Sequence, residues 1–552
     1  MSNPKKLDAE TRANKELWNR FLLVPVVLSV ALLPLLMSEY NYDPKLKDYN
    51  IFYNITSVTD FFLHCKQNFF IAMGIIMVFV LICKLCVNRK ELQMIPALLP
   101  LALYGLMAIL STICSEYRSY SISGSYEQFE SIFVLLTYCV IVYYTYVVLK
   151  YESDVKFILN ALLICILIFS IIGAFQFASH DLLRTNLGKK LYVDKAFWNN
   201  LDDYTFQFEL NRVYLTLYNP NYVGVYTSLV IPLLISLLYF TRKSSTFILY
   251  VLGIAGMGLC LVGSKSTSAI IGIMVALIFL LILLRNQIRQ NLIVTIPAVV
   301  VCIGVLLAVC IPKSPFYMLN KFSSGSAQSQ KLTSVFCDDS GAHFIYNGNT
   351  LNVQLEIENT NQIYLNLSDG DGVPVTDYTI DDSGTYTFSD SRYTPFKISF
   401  AQIDQLLVFD VTVDQVPWRF TNQLEDNSYH YINAFQKVDD IVPAKYIGFE
   451  DNPRFASNRG YIWSRTFPIL KDYILVGSGP DTFIFDFPSQ DYVMKNTIGY
   501  NGVVLTKPHS LYLQISTQTG LISLLAFLTF YVWYFISSMK LYLRSKFENY
   551  FE

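Results

Sequence analysis

Stretches near 20–37, 68–87, 92–114, 130–149, 157–178, 221–240, 246–263, 268–285, 292–311 and 510–536 are apolar over close to the roughly 20 residues a helix needs to cross a bilayer. Hydrocarbon offers no water to peptide groups, so each such stretch must be a helix that satisfies its own backbone. The chain is therefore read as mainly α, a polytopic helical membrane protein with about ten transmembrane helices. Composition agrees with this. Hydrophobic residues fill 53% of the 552 positions and charged residues 15%, whereas soluble domains carry about 25% charge. A net charge of −2 leaves no basic surface for nucleic acid and no excess of acid that would keep a chain disordered. The first stretch reads as an uncleaved helix, because it is long and shows no small-residue cleavage site behind Lys5, Lys6, Arg12 and Lys15.

Short-loop cations set the orientation. With the N-terminus in the cytoplasm, the inner segments hold Lys84, Arg89 and Lys90, then Lys150 and Lys156, Arg242 and Lys243, Arg285 and Arg289, and finally Lys540, Arg544 and Lys546. Both termini are then cytoplasmic, and the long polar segments 38–67, 115–129, 179–220 and 312–509 lie outside. Four regions follow. A transmembrane helical region spans 1–311, an inserted extracellular β-rich domain 312–456, an extracellular loop 457–509, and the last helix with a cytoplasmic tail 510–552.

The inserted domain shows period-two alternation, as in Leu351, Val353, Leu355 and Ile357, in Phe396, Ile398 and Phe400, and in Leu407, Phe409, Val411 and Val413. Asp-Gly and Ser-Gly turns interrupt it, which predicts short antiparallel strands in a small β-sandwich. Between 313 and 456 there are 19 acidic and 9 basic residues, an acidic face opposite the basic inner loops. Trp418, Tyr429 and Tyr431 suit either sugar stacking or, more commonly, a small core. Ser368-Asp369-Gly370-Asp371-Gly372 lacks the later acids of a calcium loop and reads as a turn. The 457–509 loop is punctuated by Gly460, Gly477, Gly479 and Pro480 and is expected to form short helices on the outer membrane face.

Five polar features stand out at the outer boundary. His509 follows Pro508 at the head of the last apolar stretch, and an ionisable group at such a mouth serves either chemistry or helix capping. Arg459 and Arg465 sit six residues apart, which is not a same-face helical spacing, so Arg459 is the stronger candidate. Guanidinium forks suit phosphate oxygens, although lipid headgroups use cations at this depth more often. Lys265 lies in a short outer turn against the positive-inside trend, where it either snorkels or faces inward. Arg212 precedes Asn219-Pro220-Asn221, whose amides either form a turn or meet a polar ligand at a helix start. His64, His180, His343 and His430 have no second ligand at metal spacing, Cys83-Lys84-Leu85-Cys86 is a lone pair, and no phosphate-cradling Walker loop appears. No metal site and no cofactor are expected.

In order along the chain come Arg212 with Asn219-Pro220-Asn221, Gly263-Ser264-Lys265, Asn458-Arg459-Gly460-Tyr461-Ile462-Trp463, Gly477-Ser478-Gly479-Pro480-Asp481, Pro508-His509-Ser510-Leu511-Tyr512-Leu513-Gln514 and Thr519-Gly520-Leu521-Ile522. This ordered set resembles the O-antigen ligase and polymerase family of membrane glycosyltransferases, over roughly 205–310 and 457–536. The resemblance implies transfer of glycan from an undecaprenyl-diphosphate-linked donor to an acceptor glycan or cell-envelope component, on the outer face of a bacterial cytoplasmic membrane. It implies that 457–509 is the catalytic loop, His509 the base and Arg459 the leading diphosphate ligand. Arg465, Lys265 and Arg212 are further ligands, and Asn219 and Asn221 weaker ones. Lysine at position 265 departs from the usual serine-arginine, keeping charge but losing the bidentate fork. A metal-independent inverting transfer is expected, with polymerase and ligase both open. A transporter or flippase of lipid-linked sugars is the alternative, although the chain lacks the repeated halves such a protein should show.

Overall fold

The computed structural model describes residues 4–87, 89, 92–206, 208–290, 296, 331–358, 362–403 and 406–544. Its longer helices are α1 (Pro4–Val27), α2 (Leu63–Val87), α3 (Leu99–Cys114), α4 (Ile132–Val148), α5 (Glu152–Phe177), α6 (Pro220–Phe240), α7 (Ser244–Ser264), α8 (Thr267–Leu283), α9 (Phe455–Ile469), α10 (Leu511–Thr519) and α11 (Leu521–Arg544). Among the described residues, seven helical stretches are long and apolar enough to cross a membrane, namely Asn14–Leu35, Leu63–Val87, Pro96–Cys114, Glu152–Phe177, Pro220–Phe240, Ser244–Ser264 and Leu521–Arg544. Ile132–Val148 and Thr267–Leu283 are apolar too, but have 17 residues each, about 26 Å at 1.5 Å per residue. The expected span at 292–311 lies outside the described residues.

One expectation is corrected. The apolar stretch 510–536 is not a single helix, because Gly520 adopts φ 96° and divides it into α10 and α11. Hydropathy reports composition and not direction, so a run that changes course at one glycine still scores as continuous. Lipid chemistry tolerates the break because the end of α10 that meets it is enclosed by protein, with Ile515 through Thr519 all buried.

Two apolar clusters hold the helices together. Ile166 and Phe169 of α5, Val223 and Leu234 of α6, Met257 and Cys260 of α7 and Ile273 of α8 form the larger. Leu23 and Val26 of α1, Met77 of α2 and Tyr144 and Val148 of α4 form the other. At one end, Asn19 Nδ2 donates to Asp154 Oδ2 at 2.6 Å and to the Val148 carbonyl at 3.0 Å, so a single buried amide joins α1, α4 and α5.

The segments expected outside all meet at the opposite end. Tyr120 donates to the Lys45 carbonyl, Asn433 to the Asn50 carbonyl, and Gln128 to Thr506 Oγ1. Lys66 Nζ, at the head of α2, donates to the carbonyls of Leu36, Phe62 and Thr216 at 2.7, 3.1 and 2.7 Å. Three backbone stretches are pinned by one ammonium, which spends all of its donors there.

Residues 332–439 form two antiparallel meanders. One contains Leu332–Asp338, Gly341–Tyr346, Asn349–Glu358 and Gln362–Ser368, and the other has seven strands running in chain order from Tyr378–Ile380 to Val438–Asp439. The two sheets share one core. Alternation puts Leu351, Val353 and Leu355 of the first sheet and Phe396, Ile398, Phe409, Val411 and Val413 of the second inside, and Phe344 lies 5.9 Å and 5.8 Å, ring to ring, from Phe396 and Phe420. Trp418, Tyr429 and Tyr431 pack in this core. Tyr492 and Val493, from beyond the sheets, join it too, which fastens the 457–509 segment to the sheets. Asp369 Oδ1 accepts from the amides of Asp371 and Val373, the turn expected there.

Candidate functional site

Arg459 and Arg465 share helix α9 and have opposite surroundings. Ala456, Ser457 and Asn458 have φ of 49°, 63° and 66°, so the regular helix begins only at Arg459, after three left-handed residues. Such backbone costs energy in residues with a Cβ, and is found where the surroundings hold a residue in a required place. Trp463, one helical turn after Arg459 and so on the same face, donates its Nε1 to the Pro508 carbonyl at 3.0 Å. That bond turns the Arg459 face of α9 toward His509. Arg465 points elsewhere. Its Nε donates to Asp491 Oδ2 at 3.0 Å, and its guanidinium carbon lies 4.8 Å and 4.7 Å from the rings of Tyr446 and Tyr461. Both members of that ion pair are buried, so the Arg465 charge is already spent.

His509 precedes the N-cap of α10, with φ 51°. Pro508, at the head of the last apolar stretch, does not open the helix, which begins at Leu511. His509 is solvent-exposed and still has protein and two cations close around it. Burial, and then the charges of Lys507 and Arg459, push its pKa down to about 4. All three causes disfavour a second proton, so the ring is neutral at neutral pH. Lys507 Nζ donates to the Tyr222 hydroxyl at 2.8 Å and sits 5.3 Å from that ring. Glu130 accepts from Gln514 Nε2 at 2.9 Å, and burial raises its carboxyl while Lys507 opposes the rise.

The Gly477–Asp481 segment positions these groups. Thr517 and Gln518, at the end of α10, offer carbonyls to the amides of Ser478 and Gly479, both at 2.9 Å. The approach requires glycine at 477, where a Cβ would lie 2.2 Å from the Gln518 carbonyl carbon. Asp481 then accepts from the amides of Ser125 and Glu130 at 3.1 and 2.6 Å. Burial and the neighbouring Glu130 raise its carboxyl to about 7. One loop thus anchors both the buried half-helix and the segment carrying Glu130.

The remaining candidates lie on the segment before α6, at its start and in the turn after α7. Lys265, in a left-handed cap after α7, pairs with Glu209 at 3.2 Å on the surface. Arg212 is half-buried, and burial lowers its pKa while Glu209 opposes that. Asn219 caps α6, its Oδ1 accepting from the Asn221 amide at 2.9 Å. Asn221 is exposed, and the next residue, Tyr222, links the start of α6 to Lys507. The structure therefore brings Arg459, Lys507 and His509 together, with Glu130, Gln514 and Tyr222 around them. Lys507, Glu130, Asp481, Gln514 and Tyr222 were not singled out from sequence. Asp481 and Gln514 lie inside the ordered motifs and Lys507 immediately precedes one, which was the available signal, while nothing local marks Glu130 as the partner of a residue 384 positions away.

Among the described residues, no group of three His, Cys, Asp or Glu side chains is placed to hold a metal ion. Residues 419–528, which include Arg459, Arg465, Asp481, Lys507, His509 and Gln514, match the family model described as O-Antigen ligase. No curated protein and no solved structure matches the chain.

Proposed function

With the O-antigen ligase family's domain at residues 419–528 as the premise, we propose that this membrane protein transfers or polymerises glycan from an undecaprenyl-diphosphate-linked donor onto an acceptor hydroxyl, at the outer face of the bacterial cytoplasmic membrane. One observation carries the reading: a neutral histidine stands beside two cations, of which Arg459 forms no ion pair among the described residues and Lys507 is bonded to a phenol.

In such a transfer the acceptor oxygen loses its proton to His509 and forms a bond to the anomeric carbon. The bond from that carbon to the diphosphate breaks on the opposite side, its electron pair leaving with the phosphate oxygen. Arg459 and Lys507 oppose the growing negative charge, and the positive N-terminal end of α10 adds to them. Bound diphosphate also offsets the two cations that depress His509, returning its basicity toward the ordinary range when the substrate is in place. Arg212 and Lys265 are read as ligands of outer parts of the donor. Arg465 holds α9 in place through Asp491.

The apolar groove of about 540 Å³ lined by Gly74, Gly105, Phe133 and Thr137 gives the polyprenyl chain a path along α4 toward Glu130. Metal independence is part of the proposal, since cationic side chains take the role a divalent ion would have. The test is transfer by the purified chain in nanodiscs supplied with undecaprenyl-diphosphate oligosaccharide and acceptor. Longer or transferred glycan is expected from wild type with chelator present, and not from His509→Ala or Arg459→Ala. Full turnover by both variants would refute the site, and loss of turnover with chelator would refute the metal-free route. Movement of the donor between leaflets without release of lipid diphosphate would make the chain a flippase.

A further inference from the structure

A second concave site lies at the same end of the molecule and plays no part in the chemistry described above. It is a cavity of about 210 Å³, walled by Tyr42, Asp60, Tyr126, Glu127, Tyr204 and Tyr218 among others. Three separate outer segments contribute, those around residues 37–62, 126–127 and 192–218. Ten of the sixteen described lining residues are aromatic and two carry carboxylates, and no Lys or Arg is among them. Asp60 is held rigidly, one oxygen accepting the amides of Phe62, Leu63 and His64 at 3.1, 2.8 and 2.9 Å. Burial and the neighbouring Glu127 carboxylate raise the Tyr126 and Tyr218 phenols, which therefore keep their hydroxyl protons.

The backbone on either side is also constrained. Glu127 has φ 58° and Tyr218 φ 68°, both left-handed conformations that side chains with a Cβ rarely adopt. Strain of this kind collects at ligand clamps, where it sets a side chain's aim. Both residues are linked to the reacting centre through a neighbour. Gln128, next to Glu127, donates to Thr506 at 3.0 Å. The Tyr218 ring lies 6.3 Å from that of Tyr222, whose hydroxyl holds Lys507.

We propose that this cavity is a carbohydrate subsite that seats one monosaccharide unit of the substrate glycan beside the reacting centre. A pyranose presents C–H groups on its faces and hydroxyls around its edge, so it is matched by aromatic walls with a few fixed acceptors and donors. The cations behind this wall are already engaged, Lys66 by three carbonyls, Arg184 by Asp181 and the Phe208 carbonyl, and Lys189 by the Leu201 carbonyl. The lining itself therefore offers carboxylates that accept from hydroxyls, and the cavity and the His509 cleft divide the donor or acceptor between sugar and phosphate. Its size suits one ring and not an extended chain. The proposal rests on the transfer reading for the identity of the glycan, and on the cavity alone for its chemistry.

The test uses the full chain in nanodiscs and, as probe, the free oligosaccharide released by mild acid from the host's own lipid-linked pool, with maltose for comparison. Saturation-transfer NMR is expected to show saturable binding of the oligosaccharide to wild type and to His509→Ala. Binding should weaken about tenfold or more in Tyr204→Ala and in the shape-preserving Glu127→Gln. In turnover, the same two variants should raise KM for the glycan-bearing substrate about tenfold with kcat within about twofold, while an unchanged melting temperature for Glu127→Gln separates lost contact from lost fold. Wild-type affinity retained in Glu127→Gln and Tyr204→Ala, equal binding of maltose, or no saturable binding to wild type would each overturn the subsite. If His509→Ala abolishes transfer while the cavity variants match wild type, the subsite falls and the transfer reading stands. If the cavity variants lose the oligosaccharide while wild type transfers none, the subsite stands and the transfer reading falls.

Discussion

The two sheets and the mouth of the helical bundle handle charge in opposite ways. In the sheets, Arg419 forms a two-pronged bond with Asp410, Arg392 pairs with Asp390, and His430 lies 2.8 Å from Asp426. At the mouth, Arg459 has no acidic partner among the described residues and Lys507 is bonded to Tyr222, both within reach of a histidine whose proton affinity they suppress. Helix α9 contains the contrast in one element: Arg465 is locked to Asp491, and Arg459 is left open six residues before it. Unpaired positive charge raises the energy of the empty protein, and a bound anion lowers it. Paired charges in this molecule thus serve architecture, and the unpaired ones mark where a ligand's negative charge belongs.

The contrast breaks first at His509. His509→Ala should lower transfer by about 10²- to 10⁴-fold, the usual worth of a general base, with the melting temperature unchanged, as measured by product formation in nanodiscs. The pH profile sharpens the test. A base held near pKa 4 in the free protein stays neutral until the pH falls below that value, so kcat/KM should keep its acid limb near pH 4, well under the ordinary 6.5. Lys507→Met removes one of the depressing charges and should move that limb upward. Because the folded pKa lies below the unfolded one, His509 also costs the native state stability as pH falls from about 6.5 toward 4.

Arg465→Ala should fail differently. It strands the buried Asp491 carboxylate, and breaking such a pair costs about 3–5 kcal/mol, read as a lower denaturation midpoint in detergent. Activity per folded molecule should survive, since Arg465 faces its two tyrosines and Asp491. A loss of turnover without a loss of stability would place Arg465 in the substrate site and erase the contrast within α9. Next in size is Asp481. Its carboxyl, raised from 3.8 to about 7 by burial and Glu130, favours the folded state below pH 4 and progressively loses that contribution as pH rises through 7. Asp481→Asn keeps an acceptor for the Ser125 and Glu130 amides. It should leave the protein more stable than wild type at pH 8, with the difference shrinking as pH falls through 7 and vanishing only below about pH 4 in a thermal melt.

Sequence pattern carried the architecture much further than the site. Apolar length was enough for α2 and α6, and strict alternation was enough for Leu351, Val353 and Leu355, because both patterns are local consequences of which face meets the core. The break at Gly520 escaped because a glycine inside an apolar run leaves hydropathy unchanged. The same locality limits charge. Arg459 and Arg465 look alike in sequence, and what separates them is Asp491, 26 residues further on, and the bond from Trp463 to Pro508. His509 stood out through its motif, whereas its surroundings are assembled from Glu130 just before α4, Tyr222 at the start of α6 and Gln514 on α10. The outer cavity is less legible still, because its aromatic residues come from three polar loops with no shared spacing.

Lys265 gives the smallest and most discriminating measurement. Sequence order puts it in the place of a diphosphate-binding cation, yet its ammonium pairs with Glu209, whose side chain is 75% exposed. An exposed pair of this kind is worth at most about 1 kcal/mol, so Lys265→Ala should leave stability almost unchanged. If it meets only outer parts of the donor, kcat should stay within about twofold of wild type and any change should appear in KM at low salt, where screening is weakest. A drop in kcat as large as that of Arg459→Ala would mean that substrate draws Lys265 away from Glu209 into the cleft. The cationic set at the mouth would then extend across the start of α8, and pairing in the empty protein would no longer separate structural charges from those that wait for a ligand.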